Sequence, residues 1–161
     1  MNKSKVGVQK LIRIFTSWRF IFFLLWKLPM GFFARLRVIK LDLKKSHISV
    51  PYNFWNKNPF NSMYFAVQSM AAELSTGVLV LLHTDGKNIS MLVTECEAKY
   101  YKKATSNIEF ICLDGDKILS SVNTAINMNQ PQLCIMKSKG YDKNGVCVSE
   151  FFIKWSLKKR F

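Results

Sequence analysis

Acidic residues are scarce in this sequence, and none occurs before Asp42. The 161 residues include 10 Asp and Glu against 24 Lys and Arg, so the formal net charge is +14. A basic segment without acids favours an anionic partner, either phospholipid headgroups or a phosphate-bearing ligand. No nucleic-acid-binding motif accompanies the charge, so the sequence does not favour nucleic acid as that partner. The cations of this segment are Lys3, Lys5, Lys10, Arg13, Arg19, Lys27, Arg35, Arg37 and Lys40.

Cysteine pairs with the spacing of metal ligands or redox motifs are also lacking. No C-x-x-C occurs, and His47 and His83 lie outside any metal-ligand spacing. We therefore expect no disulfide framework, no metal site and no resident cofactor, and we expect a reducing compartment such as the cytoplasm. The cysteines, most of them at apolar positions of predicted strands, are Cys96, Cys112, Cys134 and Cys147.

The N-terminal segment lacks an uncharged hydrophobic run long enough to cross a bilayer. Leu11–Leu28 is helix-like and apolar, but Arg13, Arg19 and Lys27 interrupt it. The uncharged part is far shorter than the ~20 residues that a spanning helix needs. Lys27 and Pro29 follow the apolar part without a small-x-small cleavage site, so a signal peptide is not indicated.

Two interpretations of Leu11–Leu28 remain open. The helix can pack on the domain's own sheet or across a dimer interface. It can also lie on an anionic membrane surface, with Trp18, Phe22 and Trp26 at headgroup depth. Residues 1–10 before it are polar and basic, and we expect them to be mobile.

The apolar stretch Phe60–Leu82 predicts a buried helix, with Asn58 as its N-cap and Pro59 as its first residue. Its apolar residues recur at helical spacing around most of the circumference, as expected of a core helix. The turn signal Asp85–Gly86 marks its end. The most regular apolar positions are Met63, Val67, Met70, Leu74 and Val78.

A second stripe of this helix is small except for one carboxylate. Ala66, Ser69, Glu73 and Gly77 form it, and small side chains allow another backbone or a sheet to approach closely. Glu73 is the only acid in the apolar stretch, and a buried carboxylate costs free energy unless something requires it. Glu73 is therefore a candidate functional residue. The alternative is a structural carboxylate bonded to Ser69, Thr76 or a neighbouring strand.

Two-residue alternation elsewhere predicts a mostly antiparallel sheet. Gly115–Met128 has the pattern of a short amphipathic helix, and Asp142–Gly145 is a strong hairpin signal. This order of elements fits an α+β domain in which a curved antiparallel sheet wraps around one long central helix. The predicted strands are Phe33–Leu43, His47–Tyr52, Ile89–Tyr100, Asn107–Leu113, Gln132–Ser138 and Cys147–Leu157.

Two motifs on the predicted helix, Asn58–Ala66 and Ala71–Gly77, resemble those of the hotdog-fold superfamily of acyl-CoA thioesterases, and more narrowly its DUF4442 branch. The C-terminal strand pair around Trp155 is similar too. The resemblance implies a hotdog domain at residues 30–161, preceded by a basic apolar helical segment at residues 1–29. It also implies a homodimer or larger homo-oligomer, because one copy leaves a sheet edge open.

Thioesterases of this superfamily carry His-Gly-Gly at the helix start, a carboxylate nine residues after the His, and a Gly four residues later. Glu73 and Gly77 match the carboxylate and the later glycine, whereas Tyr64-Phe65-Ala66 replaces His-Gly-Gly. The resemblance implies that a backbone N–H near Phe65 polarises a thioester carbonyl. It also implies that Glu73, from the partner side of a dimer groove, acts as general base or nucleophile.

The implied function is hydrolysis or binding of fatty acyl thioesters beside the central helix, with coenzyme A or another acyl carrier as part of the substrate. The competing class is a non-catalytic lipid-binding or membrane-surface protein with the same fold. A cytoplasmic protein is expected, and a peripheral position on the inner membrane surface remains open. Asn58 and Asn61 can instead be helix-entry caps, and Tyr64 can be core packing. The implied substrate contacts are Asn58, Asn61, Ser62, Tyr64, Ser69 and Thr76.

Overall fold

A computed structural model describes the backbone of residues 3–160 and the side chains of residues 6–160. The side chains of Lys3 and Lys5, two of the predicted membrane-binding cations, lie outside the described residues. The elements in chain order are α1 (Lys3–Phe15), α2 (Phe20–Lys27), α3 (Pro29–Phe33), β1 (Arg37–Leu41), β2 (Ser46–Val50), α4 (Phe65–Thr84), β3 (Ile89–Tyr100), β4 (Ile108–Cys112), α5 (Gly115–Met128), β5 (Gln132–Tyr141) and β6 (Cys147–Lys159).

The strands form one antiparallel sheet in the order β1-β2-β4-β5-β6-β3. Helix α4 lies on one face of this sheet and packs mainly against β2, β4 and β5. Its apolar residues and the inward-facing strand residues share a single core. The predicted α+β class, with one long helix against an antiparallel sheet, is confirmed.

Helix α4 is long and apolar enough to cross a membrane by length and composition, yet most of its residues are buried within the domain. Val78, Leu79 and Val80 are fully buried, and the sheet covers them. The predicted assignment as a core helix is confirmed. Its apolarity on nearly all faces follows from this position, because both the sheet and the connecting segments pack around it.

The start of the central helix differs from the prediction, since α4 begins at Phe65 and not at Pro59. The Asn58 side chain caps a loop instead. Its Oδ1 accepts hydrogen bonds from the N–H groups of Phe60 at 3.0 Å and Ser62 at 3.2 Å. Asparagine stabilises such local turns as well as helix starts, so the sequence signal was ambiguous.

Hydrogen bonds to distant parts of the chain keep this loop from continuing the helix. The N–H of Met63 donates to the carbonyl of Ala104 at 2.8 Å, and the N–H of Tyr64 donates to the carbonyl of Asn56 at 2.8 Å. The buried Asn56 side chain in turn donates to the carbonyl of Ala34 at 2.9 Å. These tertiary bonds compete with helix formation before Phe65.

The N-terminal segment forms three short helices, so the prediction of one helix over Leu11–Leu28 is wrong. Helix α1 already includes residues 3–10, which were expected to be mobile. Between α1 and α2, the Ser17 hydroxyl accepts a hydrogen bond from the N–H of Arg19 at 3.3 Å and donates one to the carbonyl of Ile14 at 3.0 Å. Serine bonds of this kind compete with the helical pattern and favour a break.

The N-terminal helices are part of the domain's packing. Phe15, Phe20 and Leu24 are buried and belong to the same core as α4 and the sheet. Trp26 of α2 and Trp18, which lies just before this helix, remain exposed. The two interpretations of this segment are therefore compatible, because one face packs on the domain while the other is open.

Two local predictions in the C-terminal half are confirmed residue by residue. Helix α5 spans Gly115–Met128, as its amphipathic pattern indicates. The hairpin turn begins at Asp142, whose Oδ1 accepts the N–H groups of Asn144 and Val146 at 2.9 Å each. Gly145 has φ +75°, a left-handed conformation that favours glycine. These features depend on local chemistry, which a sequence displays directly.

Candidate active site

The carboxylate of Glu73 lies on α4, partly buried. Burial raises its pKa above the ordinary value of 4.5. Within the described residues, no Lys, Arg or His lies within 4.0 Å of this carboxylate, and its oxygens make no hydrogen bond. A partly desolvated carboxylate without a compensating partner is the type of group that active sites use as a base.

Side chains of the edge strand β3 face Glu73. The Cys96 thiol has a raised pKa, first because it is partly buried and second because the negative charge of Glu73 is close. Burial also raises the pKa of the Tyr100 phenol, while a hydrogen bond from Ser69 on α4 lowers it in part. Ser69 and Glu73 of α4 and Cys96 and Tyr100 of β3 thus lie near one another between the helix and the edge strand.

The groove between α4 and β3 is open on one side. Cys96 is paired with Ile153 and Ala98 with Phe151, so both point to the same face as those buried residues, as the alternation predicts. Yet Cys96 and Tyr100 are only partly covered, since no further element of the described chain packs on them. Strand β3 is also the end of the sheet, and its outer edge has no partner strand within residues 3–160.

The helix turn that carries Glu73 is held by a buried contact with β6. The indole N–H of Trp155 donates to the Thr76 hydroxyl at 3.0 Å, and this hydroxyl donates to the carbonyl of Glu73 at 3.0 Å. A methyl group on Gly77 would lie 3.4 Å from Oε1 of Glu73 and 3.5 Å from the Trp155 ring. A small residue at this position therefore leaves room for the carboxylate beside the indole.

The Thr76 hydroxyl does not line the groove. It is 0% exposed and is already engaged as both donor and acceptor. The bond from Thr76 goes to the backbone of Glu73 and not to its carboxylate, so the structure does not show the structural bond to Thr76 that the alternative interpretation requires. Ser69 lies near the Tyr100 phenol, whose pKa it lowers, and within the described residues it makes no hydrogen bond to Glu73.

The start of α4 presents the backbone donor that the resemblance implies. Within the described residues, the N–H groups of Phe65 and Ala66 have no hydrogen-bonded acceptor. The first N–H groups of a helix carry its positive partial charge and suit a developing oxyanion. The rings of Tyr64 and Phe65 meet edge to face at 4.9 Å and are 45% and 56% exposed. Tyr64 is therefore not core packing.

The remaining predicted substrate contacts belong to the loop before α4. Asn58 is engaged in capping that loop, and Asn61 is exposed with φ 56°, a left-handed conformation that asparagine tolerates. Ser62 is buried at the base of the loop. These three residues belong to the loop before α4 and not to the helix turn that carries Glu73. They therefore do not line the groove beside that carboxylate.

One copy of the chain cannot bring the two halves of the site together. Phe65 and Glu73 are eight residues apart on α4, which corresponds to about 12 Å along a helix axis. A carbonyl held at the N–H of Phe65 is therefore out of reach of the Glu73 carboxylate in the same chain. A site that uses both groups on one thioester, as the resemblance implies, therefore needs a second copy to supply one of them.

Comparison with solved structures assigns the architecture. A protein of unknown function from Pseudomonas aeruginosa, described as a probable thioesterase, matches with a TM-score of 0.78 at 22% identity, over 94% of this chain and 96% of its own. A Chlorobaculum tepidum protein of unknown function matches with a TM-score of 0.76 at 18% identity, over 95% of this chain and 94% of its own. The chain has the hotdog fold.

A third hotdog neighbour, a thioesterase from Haemophilus influenzae, has a TM-score of 0.66 at 10% identity, over 84% of this chain and 86% of its own. At such identities the likeness concerns the fold and not the reaction. No protein-family model and no curated protein sequence matches the chain. The DUF4442 assignment therefore stays a prediction.

Sequence reasoning missed three residues that surround Glu73 in this hotdog domain. No sequence pattern links Cys96, Tyr100 or Trp155 to this carboxylate, since they belong to two predicted strands far along the chain from it. The available signal was the alternation of β3, because it indicates which side chains of this strand point toward the central helix. It did not tell that β3 is the edge strand and that its inner face is left open.

Proposed function

We propose that this hotdog protein hydrolyses acyl thioesters in the groove between α4 and β3. The observation that carries the proposal is Glu73, a partly buried carboxylate with a raised pKa and no described counter-ion, at the open inner face of an edge strand. The substrate is a fatty acyl group on coenzyme A or another thiol carrier, and the chemistry needs no further cofactor. The cytoplasm, where acyl thioesters and free thiols occur, is the proposed location.

The proposed mechanism uses one group from each of two copies. The N–H of Phe65 in one copy holds the thioester oxygen at the positive end of α4. Glu73 of the second copy removes a proton from water, and the resulting hydroxide adds to the carbonyl carbon. Collapse of the tetrahedral intermediate breaks the C–S bond, and the sulfur leaves as a thiol with the proton that Glu73 had taken from water. Direct attack by the carboxylate is the alternative course.

We predict that the protein is a homodimer in solution. Analytical ultracentrifugation at micromolar concentration should give twice the mass of 18.7 kDa. Ala98→Arg, which puts a charge on the inner face of the edge strand, should shift the protein to monomer and abolish activity. Leu133→Arg makes the same change at an exposed position of β5 and should leave the dimer intact. A monomeric parent protein would contradict the two-copy site.

A screen of acyl-CoAs of graded chain length is the direct test of activity. We expect hydrolysis of long-chain substrates in preference to short ones, because Met70, one turn before Glu73 on α4, is a partly buried and adaptable apolar side chain. Release of free thiol measures the reaction. Absence of hydrolysis at every chain length would contradict the proposal.

A non-catalytic acyl-chain binder is the second candidate. The observation that favours it is the pair of exposed aromatic rings, Tyr64 and Phe65, at the helix start. In the superfamily pattern the position of Phe65 belongs to a glycine, which lets the substrate approach the backbone. Saturable binding of a fatty acid without hydrolysis of its thioester would establish this candidate.

We further propose that the protein is peripheral on an anionic membrane surface through residues 11–28. Trp18, Phe22 and Trp26 are exposed on one face of this segment, and its described charges are all positive. A helix of this kind lies in the interface with its aromatic residues at headgroup depth. The inner leaflet, which carries acidic lipids, is the matching surface.

A further inference from the structure

A cavity of about 400 Å³ opens between α2, α3 and the segment around Trp55. It lies outside the groove that holds Glu73, and it has apolar walls and a cationic rim. The rim consists of Arg35 and Arg37, which follow α3. The walls are Ile21, Leu24, Phe32, Phe33, Leu36 and Trp55.

The two guanidinium groups at this cavity have no counter-ion in the part of the chain that the structure describes. Arg35 and Arg37 are exposed, and within the described residues no carboxylate lies within 4.0 Å of either and neither side chain donates a hydrogen bond to the protein. No acid precedes Asp42 in the chain. Arginine forms bidentate bonds to phosphate, so this pair offers an unused anion-binding rim.

The backbone of Arg35 has an unusual conformation for a large side chain. Its φ is 58°, in the left-handed region, and the N–H of Leu36 closes the end of α3 onto the carbonyl of Gly31 at 3.0 Å. Glycine is the common residue at such a helix terminus. An arginine there costs conformational energy, and strain of this type is concentrated at binding sites.

Exposed aromatic and apolar side chains surround the cavity. Trp55 and Phe33 form part of its walls while remaining more than half exposed. The surface continues along α2, where Ile21 lines the cavity and the neighbouring Phe22 contacts Trp18 edge to face at 5.6 Å. A cationic pocket within an exposed aromatic surface matches the boundary between lipid headgroups and acyl chains.

We propose that this cavity binds the headgroup phosphate of an acidic phospholipid in a bilayer. Arg35 and Arg37 hold the phosphate, and the walls hold the glycerol and the first methylene groups of the lipid. The site lies partly outside residues 11–28, so it defines how the domain is oriented on the membrane and does not merely add charge. It does not depend on thioester hydrolysis, and it can be tested whether or not the protein is an enzyme.

Binding of a monomeric short-chain lipid tests the pocket without a membrane. Dihexanoylphosphatidylglycerol below its critical micelle concentration should shift the Trp55 indole N–H resonance of the full chain in a saturable way, with that resonance assigned by its loss in Trp55→Phe. Arg35→Gln with Arg37→Gln should weaken this binding at least ~10-fold, since two phosphate contacts are lost. Lys158→Gln with Lys159→Gln, an equal loss of exposed charge at the end of β6, should leave it unchanged.

Arg35→Gly provides a variant that separates binding from folding. Glycine relieves the left-handed backbone, so the Tm should be equal to or above that of the parent. Binding of dihexanoylphosphatidylglycerol should nevertheless fall. A protein that becomes no less stable while it loses the lipid cannot have lost it through unfolding.

Vesicles and a fatty acid distinguish the source of the anion. Co-sedimentation with phosphatidylglycerol-containing vesicles should exceed that with phosphatidylcholine vesicles, should weaken with salt, and should depend on Arg35 and Arg37 more than on Lys158 and Lys159. If the arginine variant and the lysine variant lost vesicle binding equally, the proposal would be overturned in favour of diffuse charge attraction. The proposal would also be overturned if decanoate, and not the phospholipid, shifted the Trp55 indole N–H resonance. The same holds if the arginine variants bound the phospholipid as tightly as the parent does.

Discussion

Glu73→Gln should lower the rate of thioester hydrolysis at least ~100-fold. Folding and acyl-chain binding should persist. The substitution keeps the size of the side chain and removes only its ability to accept a proton. The carboxylate has no described hydrogen bond or ion pair to lose, so no buried partner is left unsatisfied. Steady-state kinetics with the best acyl-CoA would measure the loss.

The same variant has a second signature in its stability. Burial raises the pKa of Glu73 in the folded chain, so the folded state favours the protonated form. The stability associated with that proton is fully present below the unfolded value of about 4.5 and is lost as pH rises through the folded pKa. The Tm of Glu73→Gln relative to the parent should therefore increase from pH 4 to pH 8.

The rate should show the opposite dependence on pH. The base must be ionised, so activity of the parent should rise with pH through an apparent pKa above 4.5. Glu97→Gln is the matched control, because Glu97 is an exposed carboxylate of β3 that pairs with Lys99 at 3.5 Å. It should keep full activity. If Glu73→Gln were fully active, or less stable than the parent at pH 8, Glu73 would be a structural residue.

Gly115→Ala should destabilise the domain by at least about 2 kcal/mol. A Cβ at Gly115, the first residue of α5, would lie 2.0 Å from the carbonyl oxygen of Leu43 and 2.4 Å from Cα of Lys44. Both atoms belong to the backbone of the turn between β1 and β2, so a side-chain rotation cannot relieve the clash. The turn is also bonded to Gly115, whose N–H donates to the carbonyl of Lys44 at 3.0 Å.

Gly77→Ala is the matched control, and its effect should have the opposite sign. Its new methyl group would meet Glu73 and Trp155 at 3.4–3.5 Å, which is ordinary van der Waals contact. Alanine in a helix interior is more stable than glycine by roughly 0.5–1 kcal/mol. Urea denaturation of both variants would measure the difference. A destabilised Gly77→Ala would mean that the carboxylate and the indole leave no room for a methyl group.

The sequence was sufficient wherever the structure depends on neighbouring residues. The limits of α5, the turn at Asp142–Gly145 and the strand that became β6 all follow from short patterns, because helical periodicity, left-handed glycine and alternation act over a few residues. The core position of α4 followed from its apolarity on nearly every face. Glu73 was found because a lone carboxylate in such a helix conflicts with its surroundings.

The start of α4 and the break between α1 and α2 depend on a competition between local preferences and tertiary contacts. Sequence patterns display only the local preferences. Asn58 and Pro59 are suited to begin a helix, yet bonds from Met63 to Ala104 and from Tyr64 to Asn56 delay it to Phe65. Likewise, the chain bends at Ser17, between α1 and α2, and this bend allows Phe15 and Phe20 to enter the core. In both places a local preference of about 1 kcal/mol is outweighed by tertiary bonds and burial.

The sequence by itself determined the α+β class, the buried helix, the acid-free basic N-terminus and the identity of the unusual carboxylate. Only the tertiary structure decided that β3 is the edge strand, that Cys96 and Tyr100 face Glu73, and that Arg35 and Arg37 share a cavity with Trp55. The physical reason is that composition and periodicity are properties of contiguous residues. Which strand ends a sheet, and which distant side chains meet, depends on packing energies summed over the whole chain.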